Sequence, residues 1–241
     1  MIPPHFVQSR LLLRCPGVYH AFLGVDPVPG RATADLLREV FSVPPARIGT
    51  LRQVHSGLAL EVGPEDLGRP EAGGREGDAL WTGAPGTGAG VRTADCVPVL
   101  LALPGPPLAA AVHAGWRGLS AGIVGSAVRA IAGRFGDGAV GRLVAAAGPG
   151  ARGCCYEVGD EVAGLLAELP GGGRHVRKGA GGTGRWRADL QGLVVEALAA
   201  AGLSPSRVES VGPCTICAPR FHSFRREKSL TGRQLSFIYI L

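Results

Sequence analysis

The chain has 241 residues, 46% of them hydrophobic, a net charge of +6 and a mean hydropathy of +0.20. That is enough apolar chain for a sizeable core, and it excludes a disordered polypeptide. No apolar run of about 18 residues survives the 19 prolines and 39 glycines, so no membrane helix is expected; 23 of the 25 cations are arginines, scattered rather than gathered in a patch, which argues against nucleic-acid binding.

Residues 1–14 hold two prolines and only a three-leucine run, too short for a signal peptide, so the expected compartment is the cytoplasm. Residues 18–23 and 48–54 read as strands. Between them, 33–41 reads as a helix with Leu36, Leu37, Val40 and Phe41 on one face. Residues 58–62 read as the next strand. The stretch 63–90 reads as loop, interrupted only by 78–82. Residues 97–103 and 108–113 form a hairpin-like pair across Pro104-Gly105-Pro106-Pro107. Residues 119–135 keep helical period, with Gly136 as the stop. A short strand at 143–147, a helix at 161–169, a glycine-rich mobile loop or lid at 171–184, a helix at 189–201 and a closing strand at 236–240 complete the chain. The alternation favours an α/β (α+β) class: a single layered α/β/α domain spanning 1–241, with a mixed β-sheet.

Three short stretches carry metal-competent side chains: Gln53-Val54-His55, Thr93-Ala94-Asp95-Cys96 and Val112-His113-Ala114-Gly115-Trp116-Arg117-Gly118. Taken singly, a histidine is usually a satisfied structural residue and a buried cysteine an inert small hydrophobe. Two imidazoles and one thiolate together suit zinc and leave a fourth position for water or substrate. Cys96 opens one apolar run and His113 ends another, beside Gly115, and strand ends next to glycine are where sites are built.

Asp95 and Arg117 are the nearest candidates for a proton donor and an anion contact. In a regular strand Asp95 would point away from Cys96, so it could serve the site only from a loop; an aspartate capping N–H groups in a turn is the equal alternative. Trp116 could stack a planar ring, although a core position is the plainer reading. Arg220 to Arg233 is the densest cationic stretch, either a solvated loop or an anion subsite. Cys214-Thr-Ile-Cys217 has the spacing of a redox pair or half a zinc ribbon. With no second C-x-x-C and no histidine in ribbon spacing, a packed turn is expected, and adjacent Cys154-Cys155 makes a poor disulfide framework.

The four segments QVHSG, TADCVPVLL, AAVHAGWRGL and FHSFRREKSLTGR, in this order, resemble one bacterial family with mammalian laccase-domain relatives. Its members are variously called polyphenol oxidase, peptidoglycan editing factor and purine nucleoside phosphorylase. The resemblance runs from about His20 to Leu241. It implies that His55, Cys96 and His113 bind one Zn2+, with Cys96, His113 and Asp95 at the chemical centre. It also implies phosphorolysis of purine nucleosides (adenosine, inosine, guanosine or methylthioadenosine) by phosphate, and deamination of adenosine. Gln53, Trp116, Arg117 and Arg225 are the expected substrate contacts, with Arg226 as the alternative to Arg225. One departure stands out. The family's Arg-Gly-Gly turn and following Ser-x-Asn are replaced here by His20-Ala-Phe-Leu-Gly-Val-Asp26-Pro-Val-Pro, which puts one expected wall of the pocket in doubt.

Two other readings of the same residues remain. One is a metal-free hydrolase acting in peptidoglycan editing, with Cys96 as nucleophile and His113 as base. The other is a copper polyphenol oxidase, but six histidines are too few for multicopper centres, and the only methionine, Met1, offers no axial ligand.

Overall fold

The computed structural model describes residues 5–28, 30–68, 74–179, 184–228 and 232–241. Strands β1 (Phe6–Val7), β2 (Val18–Leu23), β3 (Ile48–Gly49), β4 (Ala59–Glu61), β5 (Ala79–Thr82), β6 (Gly88–Thr93), β7 (Val97–Ala102), β8 (Ala109–Ala114) and β9 (Val144–Ala147) are followed by β10 (Glu157–Val158), β11 (Val176–Lys178), β12 (Trp186–Ala188), β13 (Val208–Ser210) and β14 (Gln234–Ile240). They form a five-stranded sheet, β1-β2-β14-β6-β3, a six-stranded sheet, β13-β9-β7-β8-β5-β4, and a small sheet, β10-β12-β11. The two large sheets are mixed. The pairs β3–β6, β13–β9 and β4–β5 run parallel, while β7–β8 is antiparallel as the hairpin reading expects.

The period-two alternation of the strands fixes which side chains meet. Phe22, Val91 and Ile238 of the first sheet share one core with Leu80, Leu100 and the alanines 109, 111 and 146 of the second. The alternate residues point outward. Ala21, Leu23, Leu235 and Phe237 receive Leu36, Leu37 and Phe41 from the helix Thr33–Phe41. On the other side, Val97, Val99, Leu101 and Val112 pack against the helices Ile123–Phe135 and Leu190–Ala200. Each such fully buried Leu, Ile or Phe contributes about 1.5–3 kcal/mol of transfer free energy. The α/β class and mixed pairing match the sequence reading. The single sheet does not: there are two large ones, stacked face to face between helices, besides the small one, and the alanines between the large sheets allow the close approach.

Other differences have local causes. The strand expected over 48–54 forms only at Ile48–Gly49, with an isolated bridge from Arg52 to Glu76 beyond it. The stretch read as loop runs into the start of β6, Gly88–Thr93, whose glycines hide its strand character. A Cβ on Gly90 would lie 2.9 Å from Ile48 Cγ2, and one on Gly88 would lie 2.6 Å from Ile48 Cδ1, so packing demands glycine there. The helix expected over 119–135 is two, Trp116–Ser120 and Ile123–Phe135, broken at Gly122 with φ 73°. Of the segment read as a mobile lid, 171–179 forms a short helix, Gly172–His175, and then β11, which pairs with β12; residues 180–183 lie outside the described residues.

The chain passes from the first sheet to the second twice, between β3 and β4 and between β6 and β7. His55 lies on the first crossing and Cys96 on the second, next to the end of β8 that carries His113.

A candidate metal centre

The side chains of His55, Cys96 and His113 converge, their ligand atoms all within 4.8 Å of one another. The two imidazole centroids are 4.8 Å apart, and Cys96 Sγ lies 4.0 Å from His55 Nε2. His113 is buried, Cys96 half-buried and His55 exposed, so the group opens to solvent on one side. His55 and Asp95 are non-glycine residues at positive φ, 61° and 85°, a conformation the surrounding fold must enforce. Gly115 lies behind the cluster, where an added Cβ would be 2.7 Å from Cys96 Sγ.

Asp78 holds this arrangement from beneath. Its Oδ1 pairs with His113 Nδ1 at 2.8 Å, leaving Nε2 for the site. Its Oδ2 accepts the Ser56 hydroxyl at 2.8 Å and the backbone N–H groups of Ser56 and Val54, on either side of His55. Burial opposes the Asp78 charge, but His113 and Ser56 hold its carboxyl at about 2. Burial likewise pushes the Cys96 thiol up, yet His113 and His55 outweigh it and bring it down to about 6. The same partnership, with Asp78, raises His113 against the pull of burial. Cys96 is therefore poised as a thiolate, the form in which cysteine binds a metal or attacks carbon.

A cavity of about 660 Å³ opens above the cluster, within the usual range for small-molecule sites. Gln53, Asp95, Trp116, Arg117 and Arg225 all border it, as do Arg92, Lys228 and Arg233. Its rim is therefore strongly cationic. Arg117 stacks on the Trp116 ring, 4.1 Å from the centroid, so one ring face is covered. Trp116 also packs partly against the core, which fits its plainer reading. The Gln53 amide is spent on the wall: its Nε2 donates to Arg92 O and its Oε1 accepts from Arg92 N, each at 2.8 Å.

Asp95 stands in the bend between β6 and β7, so the strand geometry that would turn it away does not apply. Both its oxygens are nevertheless taken. Oδ1 accepts from Thr215 Oγ1 at 2.7 Å, and Oδ2 from Ser223 Oγ at 3.1 Å and from Arg225 N at 2.7 Å. This is the N–H-capping role, and it pins the C-terminal segment against the site.

Geometry separates the two tail arginines. Arg226 donates to the carbonyls of Thr215, Ile216 and Phe221 and is consumed in the fold. Arg225 borders the cavity, its guanidinium 5.0 Å over the ring of Tyr156. None of residues 20–28 lines the cavity; that segment is tied to His5 and Arg220 by backbone bonds. Asp78 and Tyr156 are the site residues the sequence reading missed. The one mark of Asp78 was a carboxylate opening an otherwise apolar strand, and Tyr156 had no mark.

The family model described as multi-copper polyphenol oxidoreductase laccase matches residues 26–241. A purine nucleoside phosphorylase of Streptomyces coelicolor is 35% identical over 90% of this chain and 85% of its own length. One from Aquifex aeolicus is 37% identical over 69% of this chain and 72% of its own. Among solved structures, YlmD of Geobacillus stearothermophilus superposes with a TM-score of 0.82 at 26% identity, covering 99% of both chains. The YfiH protein of Bacillus licheniformis does so with a TM-score of 0.82 at 25% identity, over 93% of each.

Proposed function

The chain belongs to the family described as multi-copper polyphenol oxidoreductase laccase, its relatives carry the name purine nucleoside phosphorylase, and we propose that it is a zinc-dependent purine nucleoside phosphorylase that also deaminates adenosine. One observation carries the reading: a two-imidazole, one-thiolate cluster lies at the floor of a cation-rimmed cavity large enough for a nucleoside. Residues 1–241 act as one catalytic unit.

The donor set fits zinc. Two neutral imidazoles and a thiolate leave a position open, and Asp78 orients His113 as a carboxylate orients a metal-bound imidazole. When bound, zinc supplies Lewis acidity and lowers the pKa of water toward about 7. In phosphorolysis a phosphate oxygen bonds to C1′ of the ribose as the bond from C1′ to the purine nitrogen breaks. The base leaves with a proton, and ribose 1-phosphate remains. Arg225 and Arg117 hold the phosphate by charge-assisted hydrogen bonds. Trp116 offers its uncovered ring face to the base. Asp95 acts as a positioning residue, setting the backbone of Arg225 rather than moving a proton. In deamination water adds at C6 of adenosine and ammonia departs, giving inosine. The substrates are adenosine, inosine, guanosine or methylthioadenosine, and the chain works in the cytoplasm.

The thiolate–imidazolium pairing of Cys96 and His113 also favours a second reading, a metal-free cysteine hydrolase. Such a dyad has no use for His55, which the fold holds at a costly φ beside it. Copper oxidation is disfavoured, because the metal-capable groups among the described residues contain only two histidines. The test is a nucleoside panel with and without phosphate. Base release only with phosphate, together with phosphate-independent conversion of adenosine to inosine, is expected. No turnover of any nucleoside, with cleavage of peptidoglycan fragments instead, overturns the reading.

A further inference from the structure

The cysteines that look isolated in sequence are gathered in space. Cys154 and Cys155 lie in the turn between β9 and β10, and Cys214 and Cys217 in the turn after β13. All four sulfurs fall within 4.8 Å of one another, with Cys154 Sγ 3.5 Å from Cys217 Sγ. All are free thiols. Four sulfurs around a tetrahedral zinc, at roughly 2.3 Å each, stand about 3.8 Å apart. The cluster already approximates that spacing.

We propose that Cys154, Cys155, Cys214 and Cys217 form a second metal site, a closed four-thiolate zinc centre with a structural role. The missing half of the ribbon is supplied by an adjacent pair instead of a second C-x-x-C. Binding forms four Zn–S bonds and releases four thiol protons, leaving four thiolate charges against two on the metal. Cations lie ready to offset the excess. Arg187 Nη1 donates to Cys154 O at 3.1 Å, and Arg226 Nη1 to Thr215 O at 2.7 Å, each within the two cysteine turns. Cys154 and Cys217 are exposed, which gives the ion a way in.

The centre would clamp the wall of the cavity. Thr215, inside the C-x-x-C turn, donates to Asp95, and Tyr156, directly after Cys155, lies under Arg225. Four thiolates leave no open position, so this site holds shape and does no chemistry.

The experiment uses the full chain, purified with reductant and supplied zinc. The background is Cys96→Ala/His113→Ala, which removes the first cluster. Metal analysis should find about one zinc per chain there. Adding Cys154→Ser/Cys217→Ser, both at exposed positions, should bring it near zero with the circular dichroism of the fold kept. If wild type and background hold equal zinc, the first site fails while the second stands. The proposal is overturned if the background holds no zinc, if its zinc survives Cys154→Ser/Cys217→Ser, or if mass spectrometry of the protein as purified, without further reduction, finds a Cys154–Cys217 disulfide.

Discussion

Asp78 and His113 form a 2.8 Å pair, and the other oxygen of the same carboxylate holds the backbone on both sides of His55. One buried carboxylate therefore orients two of the three candidate ligands, although it contributes no ligand itself. Asp78→Asn keeps the shape but loses the charge and one acceptor. Partners of this kind are worth about 10- to 100-fold in metal affinity. Zinc competition against a chelator should show a loss in that range, with the fold intact. Unchanged affinity would reduce Asp78 to a loop anchor.

Gly115 tests the space behind the thiolate. Its φ of −85° is open to any residue, so Gly115→Ala acts through contact alone. The new methyl would sit 2.7 Å from Cys96 Sγ and 3.4 Å from His55 Cδ2. Zinc content at the first site should fall sharply while thermal stability changes little. Wild-type zinc content would mean that Cys96 can yield, and that the cluster is looser than its packing implies.

Arg225→Gln should separate the two reactions. Removing a charged partner of phosphate costs about 1.5–3 kcal/mol, roughly 10- to 150-fold in rate, and the exposure of Arg225 places the loss toward the lower end. Phosphorolysis of adenosine should drop by that factor. Deamination, which needs water, should suffer much less. Arg226→Gln should instead lower stability, because it strips donors from three carbonyls. Equal losses of both reactions in Arg225→Gln would assign Arg225 a general structural role.

His20 gives a prediction about pH. It is fully buried; its Nε2 accepts the Ser9 N–H at 2.8 Å, and burial lowers its pKa from 6.5 to about 4 despite the nearby Glu209. Between those values the unfolded chain binds a proton that the folded chain refuses. Stability from this residue is therefore complete above about pH 6.5 and lost as pH falls toward 4, by about 3 kcal/mol in all. The urea midpoint should fall over that window, and fall less in His20→Gln. Equal pH dependence in both proteins would remove His20 as the cause.

The three candidate ligands stood out in sequence through the resemblance of their motifs to one family, and Cys96 and His113 also stand at strand ends. Asp78 did not, because its partner lies 35 residues away and only the sheet crossing brings them together. The four cysteines failed for the same reason: 63 residues separate Cys154 from Cys217, and spacing rules look for paired motifs. Helices with a clear apolar stripe, such as Thr33–Phe41, matched to the residue. What failed were the glycine-rich stretches. Gly88 and Gly90 weaken a strand signal that Ile48 packing requires, and Gly122 breaks a stripe whose period runs on unbroken. Two stacked sheets cannot be told from one by alternation alone, since both give buried strands.

The most direct measurement is hypoxanthine release from inosine at saturating phosphate, with zinc counted in the same samples of wild type and Cys96→Ala. Wild type should release hypoxanthine and ribose 1-phosphate in equal amounts, and only when phosphate is present. Cys96→Ala, short of about one zinc per chain, should release almost none. A wild-type protein that releases no base, or a Cys96→Ala protein with undiminished zinc and rate, would contradict a phosphorylase built on His55, Cys96 and His113.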